Sequence, residues 1–358
     1  MNAAIFLPNW IGDVVMATPA IRALRQHHAD ARFVAVGRSY VRGVVDGSPW
    51  FDAFIPLDRG GPWSQRWPSV AVQLRRMKLD LAVLFPNSFR SGLVAWLAGA
   101  KQRVGFRRYG RGCLLTHPLD PVLDQEGKFK PSPIIDDYNR LAEAAGCPLP
   151  GHRMELFTTR ADEQAADVVA QKFRFDDKKE LLCLNPGAAF GSSKYWDVEA
   201  FARLARDLAF TRPCKVLILC GPSERELARN IARLANHPDV NSLADEPLSL
   251  GLTKSLIRRC TALVTTDSGP RHFAAAFDRP VVSLFGPTHI AWTETYFAKA
   301  THLQKSVPCG PCQKRICPTD HACMKLLTAD EVFRAVQELL SRPGVLPLPV
   351  LPSERKAS

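Results

Sequence analysis

The sequence predicts an α/β protein made of two doubly wound, Rossmann-like domains that face a central cleft. Three observations carry that prediction. The chain has 358 residues, long for one domain and comfortable for two. Short apolar runs alternate with helical patterns in two successive series. Between the series lie a stretch at 147–154 holding Pro148, Pro150 and Gly151 and a charged stretch at 176–180.

The first series opens with an apolar strand at 3–8 that ends in a loop. A helical pattern runs on through Ile21, Leu24 and Arg25, and Thr18-Pro19 early in it suggests a kink or a true start near Thr18, because Pro inside a helix costs about 3 kcal/mol. Residues 32–36 form a second strand, and 79–85 form a strand apolar enough to be buried on both faces. Helices are expected at 91–98 and 137–145, the latter stopped by Gly146 and Pro148.

The second series follows a helix at 162–173. Strands are expected at 181–185, 215–220 and 262–266, with the last at 280–285. Helices are expected at 197–209, 224–235, 249–260 and 269–277. The boundaries are therefore an N-terminal domain at 1–160, a linker region at 161–180 and a C-terminal domain at 181–328. A final helix at 329–340 and a Pro-rich, disordered tail at 341–358 complete the chain.

Bulk properties narrow the function. No run of about 18 apolar residues is present, and the start of the chain lacks a basic region and a long apolar core. A cytoplasmic protein without a membrane span is expected. Net charge is +12, and residues 1–160 hold 21 basic against 13 acidic residues. That surface suits nucleic acid, anionic lipid or a phosphorylated substrate, or is simply solvated. Neither G-x-G-x-x-G after the first strand nor G-x-x-x-x-G-K-[ST] occurs, which weakens the case for a nicotinamide enzyme or a P-loop ATPase.

Six stretches carry chemistry. Asn9-Trp10-Ile11-Gly12-Asp13 lies where the first strand meets the first helix, the edge at which open α/β sheets bind ligands. Asp13 reads either as a general base or as a carboxylate favouring the helix start. Thr265-Thr266-Asp267-Ser268-Gly269-Pro270-Arg271-His272 runs from a buried strand through a small-residue turn into a helix. Backbone N–H groups there suit a diphosphate, with Arg271 or His272 adding charge. The Asn185–Trp196 loop ends at Lys194, which either neutralises a phosphate or is solvated. Glu224 and Glu226 follow another strand and either hold ribose hydroxyls or favour a helix first turn. Asn87, Ser88 and Arg90 follow the 79–85 strand. Lys101, Arg103, Arg107, Arg108 and Arg111, interleaved with Phe106 and Tyr109, then read as a cationic loop. Cys309, Cys312, Cys317 and Cys323, with His321 among them, begin like a zinc knuckle but do not finish as one. They are candidates for a structural metal or for reduced thiols. Cys183, Cys214, Cys220 and Cys260 lie in or beside apolar runs and read as core residues.

Taken together, these stretches resemble glycosyltransferase family 9, the ADP-heptose–lipopolysaccharide heptosyltransferases, from Ala4 to about Leu340. The carriers are Asn9–Asp13, the stretch from Thr18 to Leu24, Pro86–Ser91, the Asn185–Trp196 loop, Thr266–Gly269, Phe285-Gly286-Pro287-Thr288 and the cysteine run. The Asn-Ser-Phe stretch and the cysteine run point toward the heptosyltransferase II members. The resemblance implies a GT-B fold, with acceptor bound by the first domain and nucleotide sugar by the second. It implies inverting transfer of heptose from ADP-L-glycero-β-D-manno-heptose to a heptosyl-Kdo-lipid A acceptor in lipopolysaccharide core biosynthesis. Asp13 matches the proposed base. Lys194, Thr266, Asp267, Ser268, Gly269 and His272 match the diphosphate side, and Glu224 or Glu226 the ribose ligand. Asn87, Ser88, Arg90, Arg103, Arg107 and Arg108 are the acceptor candidates. No Asp-x-Asp clamp occurs in the chain, so a metal-independent reaction with no required cofactor is expected. The acceptor would be met at the inner leaflet through weak peripheral membrane contact, with no nucleic-acid partner. The alternatives are another family 9 transferase with a different core sugar or acceptor, and a GT-B nucleotide-sugar epimerase.

Departures accompany the resemblance. Leu243-Ala244-Asp245-Glu246-Pro247-Leu248 stands where relatives more often read Leu-Ala-Gly-x-Thr, and Arg271 stands where an apolar residue is usual.

Overall fold

In the computed structural model, residues 1–175 and 179–343 are described. The charged stretch at 176–178 and the Pro-rich tail beyond 343 lie outside the described residues. The chain divides into two compact units, Met1–Phe157 with Ala291–Tyr296, and Thr158–Ile290 with Phe297–Ser358.

In chain order the first unit holds β1 (Asn2–Phe6), α1 (Ile11–Met16), α2 (Thr18–His27), β2 (Arg32–Gly37), α3 (Arg42–Val45) and β3 (Ala53–Pro56). It continues with α4 (Trp67–Arg76), β4 (Leu81–Leu84), α5 (Phe89–Leu97), β5 (Gln102–Phe106), β6 (His117–Leu119) and α6 (Ile134–Ala144). Its strands lie in the order β3-β2-β1-β4-β5-β6, all parallel. β1 and β4 are central and carry almost wholly buried runs, as a sheet covered on both faces requires.

The second unit holds α7 (Arg160–Phe173), β7 (Glu180–Asn185), α8 (Val198–Thr211), β8 (Cys214–Ile218), α9 (Arg225–Ala235), β9 (Val240–Ser242) and α10 (Leu250–Arg259). It continues with β10 (Ala262–Thr266), α11 (Gly269–Ala276), β11 (Val281–Phe285), β12 (Ala300–Gln304), α12 (Ala322–Lys325) and α13 (Ala329–Ser341). Its parallel strands are ordered β12-β11-β10-β7-β8-β9. Read from the other edge this is the same 3-2-1-4-5-6 plan as the first unit.

Several expectations change. Thr18-Pro19 does mark a break: α1 ends at Met16, and Pro19 sits in the first turn of α2, where its missing N–H is harmless. The strand at 281–285 is not the last, because the half-buried edge strand β12 pairs with it. The cationic loop is partly a strand, β5, in register with β4 from Leu81↔Gln102. Within the 161–180 region the helix expected at 162–173 is present as α7. α7 packs on α10, and Arg259 bonds Glu163 at 2.6 Å and Asp167 at 2.7 Å. A Thr159–Asp162 capping box fixes the start of α7.

One segment of the first unit comes from far along the chain. The Tyr296 hydroxyl donates to Asp136 Oδ2 at 2.8 Å, and His152 Nε2 lies 2.7 Å from Asp136 Oδ1. The His152 and Tyr296 rings lie against each other with centroids 4.4 Å apart.

Candidate active site

In each unit the strand order reverses at one point, between β1 and β4 and again between β7 and β10. Chains leaving the two strands at such a point part to opposite faces and open a crevice at the strands' carboxyl ends. The principal motifs fall there: Asn9–Asp13 after β1 and Pro86–Arg90 after β4, then Asn185–Lys194 after β7 and Asp267–Gly269 after β10.

In the second unit these loops are tied together. Asn185, ending β7, points its amide nitrogen at Thr265 Oγ1 (3.1 Å), Ser268 Oγ (3.0 Å) and Gly187 O (3.2 Å). Thr266 Oγ1 donates to Gly187 O at 2.7 Å. Lys194 is buried, so the solvated reading fails: Nζ lies 2.5 Å from Asp267 Oδ2 and 2.8 Å from Asp267 O. Thr288 Oγ1 donates to the same carboxylate oxygen at 2.7 Å, and Arg271 Nη1 lies 3.3 Å from Oδ1. Burial alone would raise the Asp267 pKa, but Lys194 and Arg271 hold it well below the usual carboxylate range. Lys194 and Arg271 thus both face the Asp267 carboxylate beside the start of α11, whose first residue is Gly269.

His272 does not add to that charge. Burial, with Arg271 beside it, pushes its imidazole well below its ordinary value and leaves it neutral at pH 7. The two glutamates separate. Glu226 is exposed and engaged with Arg229. Glu224 turns inward, where Oε2 accepts the Gly221 N–H at 2.8 Å. Its carboxylate covers Gly187 so closely that a Cβ on that glycine would fall 2.0 Å from Glu224 Cδ.

In the first unit Asp13 lies in the first turn of α1 rather than in the loop, and it is half-buried. Burial raises the pKa of Tyr138, and the charge of Asp13 adds to that; at Tyr40 burial also dominates, with Asp13 contributing less than Arg38 and Asp58. The Pro86–Ser91 turn is built on a residue of the stretch that reads as a cationic loop. Arg111 is fully buried. Nε donates to Phe106 O at 2.9 Å, Nη2 to Asn87 Oδ1 at 3.0 Å and Nη1 to Ser91 Oγ at 3.1 Å, with a further bond to Pro86 O. Burial, with Arg108 adding to it, lowers its pKa to about 10. Ser88 caps α5 by accepting the Ser91 N–H at 3.2 Å.

The acceptor candidates differ in their engagement. Arg103 is committed to the unit's own backbone, Nε to Leu114 O at 2.7 Å. Arg108 lies 3.6 Å over the Phe129 ring, and exposed Arg107 lies 3.5 Å from Asp120. Arg90 is exposed on the first turn of α5.

Cys309, Cys312, Cys317 and Cys323 line one cavity of about 130 Å³. All are free thiols, and among the described residues no three His, Cys, Asp or Glu side chains are placed to hold a metal. Cys323 is buried at the start of α12 against Gly286, whereas Cys309 is exposed. Asn185 and Thr288 have no individual role in the sequence reading, and Arg111 enters it only as part of the cationic loop. Asn185 and Thr288 do lie inside stretches that carried the family resemblance.

The model of a protein family described as glycosyltransferase family 9 (heptosyltransferase) matches residues 67–323. The chain is 28% identical over 353 residues to lipooligosaccharide heptosyltransferase 2 of Campylobacter jejuni serotype O:2, covering 95% of this chain and 98% of the relative. It is 27% identical over 358 residues to lipopolysaccharide heptosyltransferase 2 of Salmonella typhimurium, covering 96% and 100%. Among solved structures, the E. coli ADP-heptose lps heptosyltransferase II superposes with a TM-score of 0.78 at 26% identity over 95% of this chain and 98% of that one.

Proposed function

The chain belongs to glycosyltransferase family 9, and we propose that it moves heptose from ADP-L-glycero-β-D-manno-heptose to a heptosyl-Kdo-lipid A acceptor, with inversion, in lipopolysaccharide core biosynthesis. The relatives' names supply the donor and the acceptor class. The observation that supports this reading is the buried Lys194–Asp267–Arg271 cluster beside the start of α11, at a switch point of the sheet.

In this reading Asp13 takes the proton of the acceptor hydroxyl as its oxygen bonds to C1 of the heptose. The bond from C1 to the diphosphate oxygen breaks on the opposite face, and ADP leaves with the electron pair. Charge gathers on the departing diphosphate. Lys194, the α11 N-terminus and the Ser268–Gly269 turn are pre-set to meet it, without reorganisation at the moment of reaction. Glu224 would hold the ribose. Asn87, Ser88 and Arg90, on the turn that Arg111 braces, would meet the acceptor. Among the described residues no helix is long and apolar enough to cross a membrane, and the enzyme would meet its acceptor at the cytoplasmic face of the inner membrane as a peripheral protein.

The test is ADP release from ADP-heptose with and without heptosyl-Kdo-lipid A, in EDTA. Acceptor-dependent release that persists in EDTA and drops at least about 100-fold in Asp13→Ala, with donor binding retained by calorimetry, is the expected result. Retained turnover in Asp13→Ala removes that residue as the base. Product formed without acceptor would indicate an epimerase instead.

A further inference from the structure

The N-terminal unit carries a surface that the transfer chemistry leaves unused. α4 and α5 pack on each other, and their inward sides give Val70, Leu74, Val94 and Ala95 to the core. The outward side of α5 is apolar too. Phe89 and Trp96, two turns apart, are 47% and 49% exposed, and Leu93 between them is half-buried. A helix apolar on both sides calls for a second apolar or interfacial environment. α4 adds exposed Val72 and Trp67, and Trp63 just ahead of it is 64% exposed.

Charge says which environment that is. Residues 59–103 hold eight Lys and Arg and one acid, Asp80. Asp80 is itself held by Lys101 at 2.8 Å. Arg66, Arg76, Lys78 and Arg90 are exposed among the aromatic side chains. Indole rings settle at the headgroup level of a bilayer, and clustered Lys and Arg are drawn to anionic lipid. Exposed tryptophans with exposed cations on the same two helices are the complement of such a surface.

We propose that the outward face of α4 and α5 docks on an anionic bilayer, with Val72, Phe89 and Trp96 at the headgroup level and Arg66, Arg76 and Lys78 against lipid phosphates. Phe89 opens α5 directly after the turn proposed for the acceptor. A lipid-linked acceptor then offers its sugars to that turn while its chains stay in the membrane. The inference rests on reading the acceptor as lipid-linked, and the test separates the two.

The full chain is sedimented with acceptor-free vesicles of phosphatidylcholine alone or with about 30 mol% phosphatidylglycerol, at ~50 and ~300 mM salt. Binding to the anionic vesicles that falls with salt is expected. Trp96→Ser with Arg76→Glu should weaken it at least tenfold, with an unchanged melting temperature and unchanged ADP release on a soluble, deacylated acceptor. Val72→Ser with Lys78→Glu is the second variant, should the first not fold. Absent binding of the wild type to anionic vesicles at low salt overturns the proposal. So does equal binding by the variants, or a dimer broken by Trp96→Ser in a protein that ignores vesicles. Docking without any transfer would sink the proposed reaction and leave the surface standing.

Discussion

Lys194 and Asp267 form a buried ion pair, with Nζ 2.5 Å from Oδ2 and 2.8 Å from the Asp267 main-chain oxygen. One side chain thereby ties the loop after β7 to the turn after β10. The lysine is fixed in place before any diphosphate arrives.

Lys194→Met should therefore fail in two ways. Loss of one partner of a buried pair typically costs about 3–5 kcal/mol, eased here by Arg271 and Thr288, which still meet the carboxylate. Loss of charge stabilisation on the leaving group should cut kcat by about 100-fold or more. Denaturant titration and ADP release on the same sample check both.

The pair also fixes an acid-side dependence. Asp267 has a folded pKa below its unfolded one. Such a group contributes stability that is complete above the unfolded value of about 3.9 and disappears as pH falls toward the folded one. The gap in unfolding free energy between wild type and Asp267→Asn should be level from neutral pH down to about pH 5 and should narrow below about pH 4. Urea midpoints across that range measure it. A gap that widens on acidification would contradict the assignment.

Arg111→Lys keeps a cation but loses the planar fork that serves Phe106 O, Asn87 Oδ1 and Ser91 Oγ together. The turn from Pro86 to Ser91 should loosen. KM for the acceptor should rise about tenfold or more while the dissociation constant for ADP-heptose stays unchanged, because no donor candidate lies on that turn. A rise in both would mean that Arg111 supports the whole fold rather than this turn.

Gly187→Ala would place a methyl group onto the Glu224 carboxylate. Glu224 must move, so the substitution should weaken ADP-heptose binding much as Glu224→Ala does. The double variant should bind no worse than either single one, the non-additivity of residues that share a contact. Calorimetry on the three proteins decides it.

The sheet centres were legible because β1, β4, β7, β10 and β11 are continuous apolar runs buried on both sides. β3, β6, β9 and β12 escaped because edge strands are short and half-buried, and Pro118 sits within β6. β5 was hidden by Gln102, Arg103 and Gly105, which break its apolar run. Asp267 and Lys194 were legible as a strand-end turn and a loop lysine. That they face each other is a tertiary fact with no local trace. Arg111 was the least legible, because its glycine-flanked, arginine-rich setting reads as solvent and only the fold reveals the carbonyl oxygens that enclose it.

The N-terminal unit includes Ala291–Tyr296, and that has a consequence for how the protein is made. About 130 residues separate Phe157 from Ala291. A ribosome adding roughly 5–20 residues per second spends on the order of ten seconds between finishing the first stretch and releasing the last piece. During that interval Asp136 and His152 wait without Tyr296. The first unit thus leaves the ribosome unfinished, and it is completed only after about two thirds of the second unit has been synthesised.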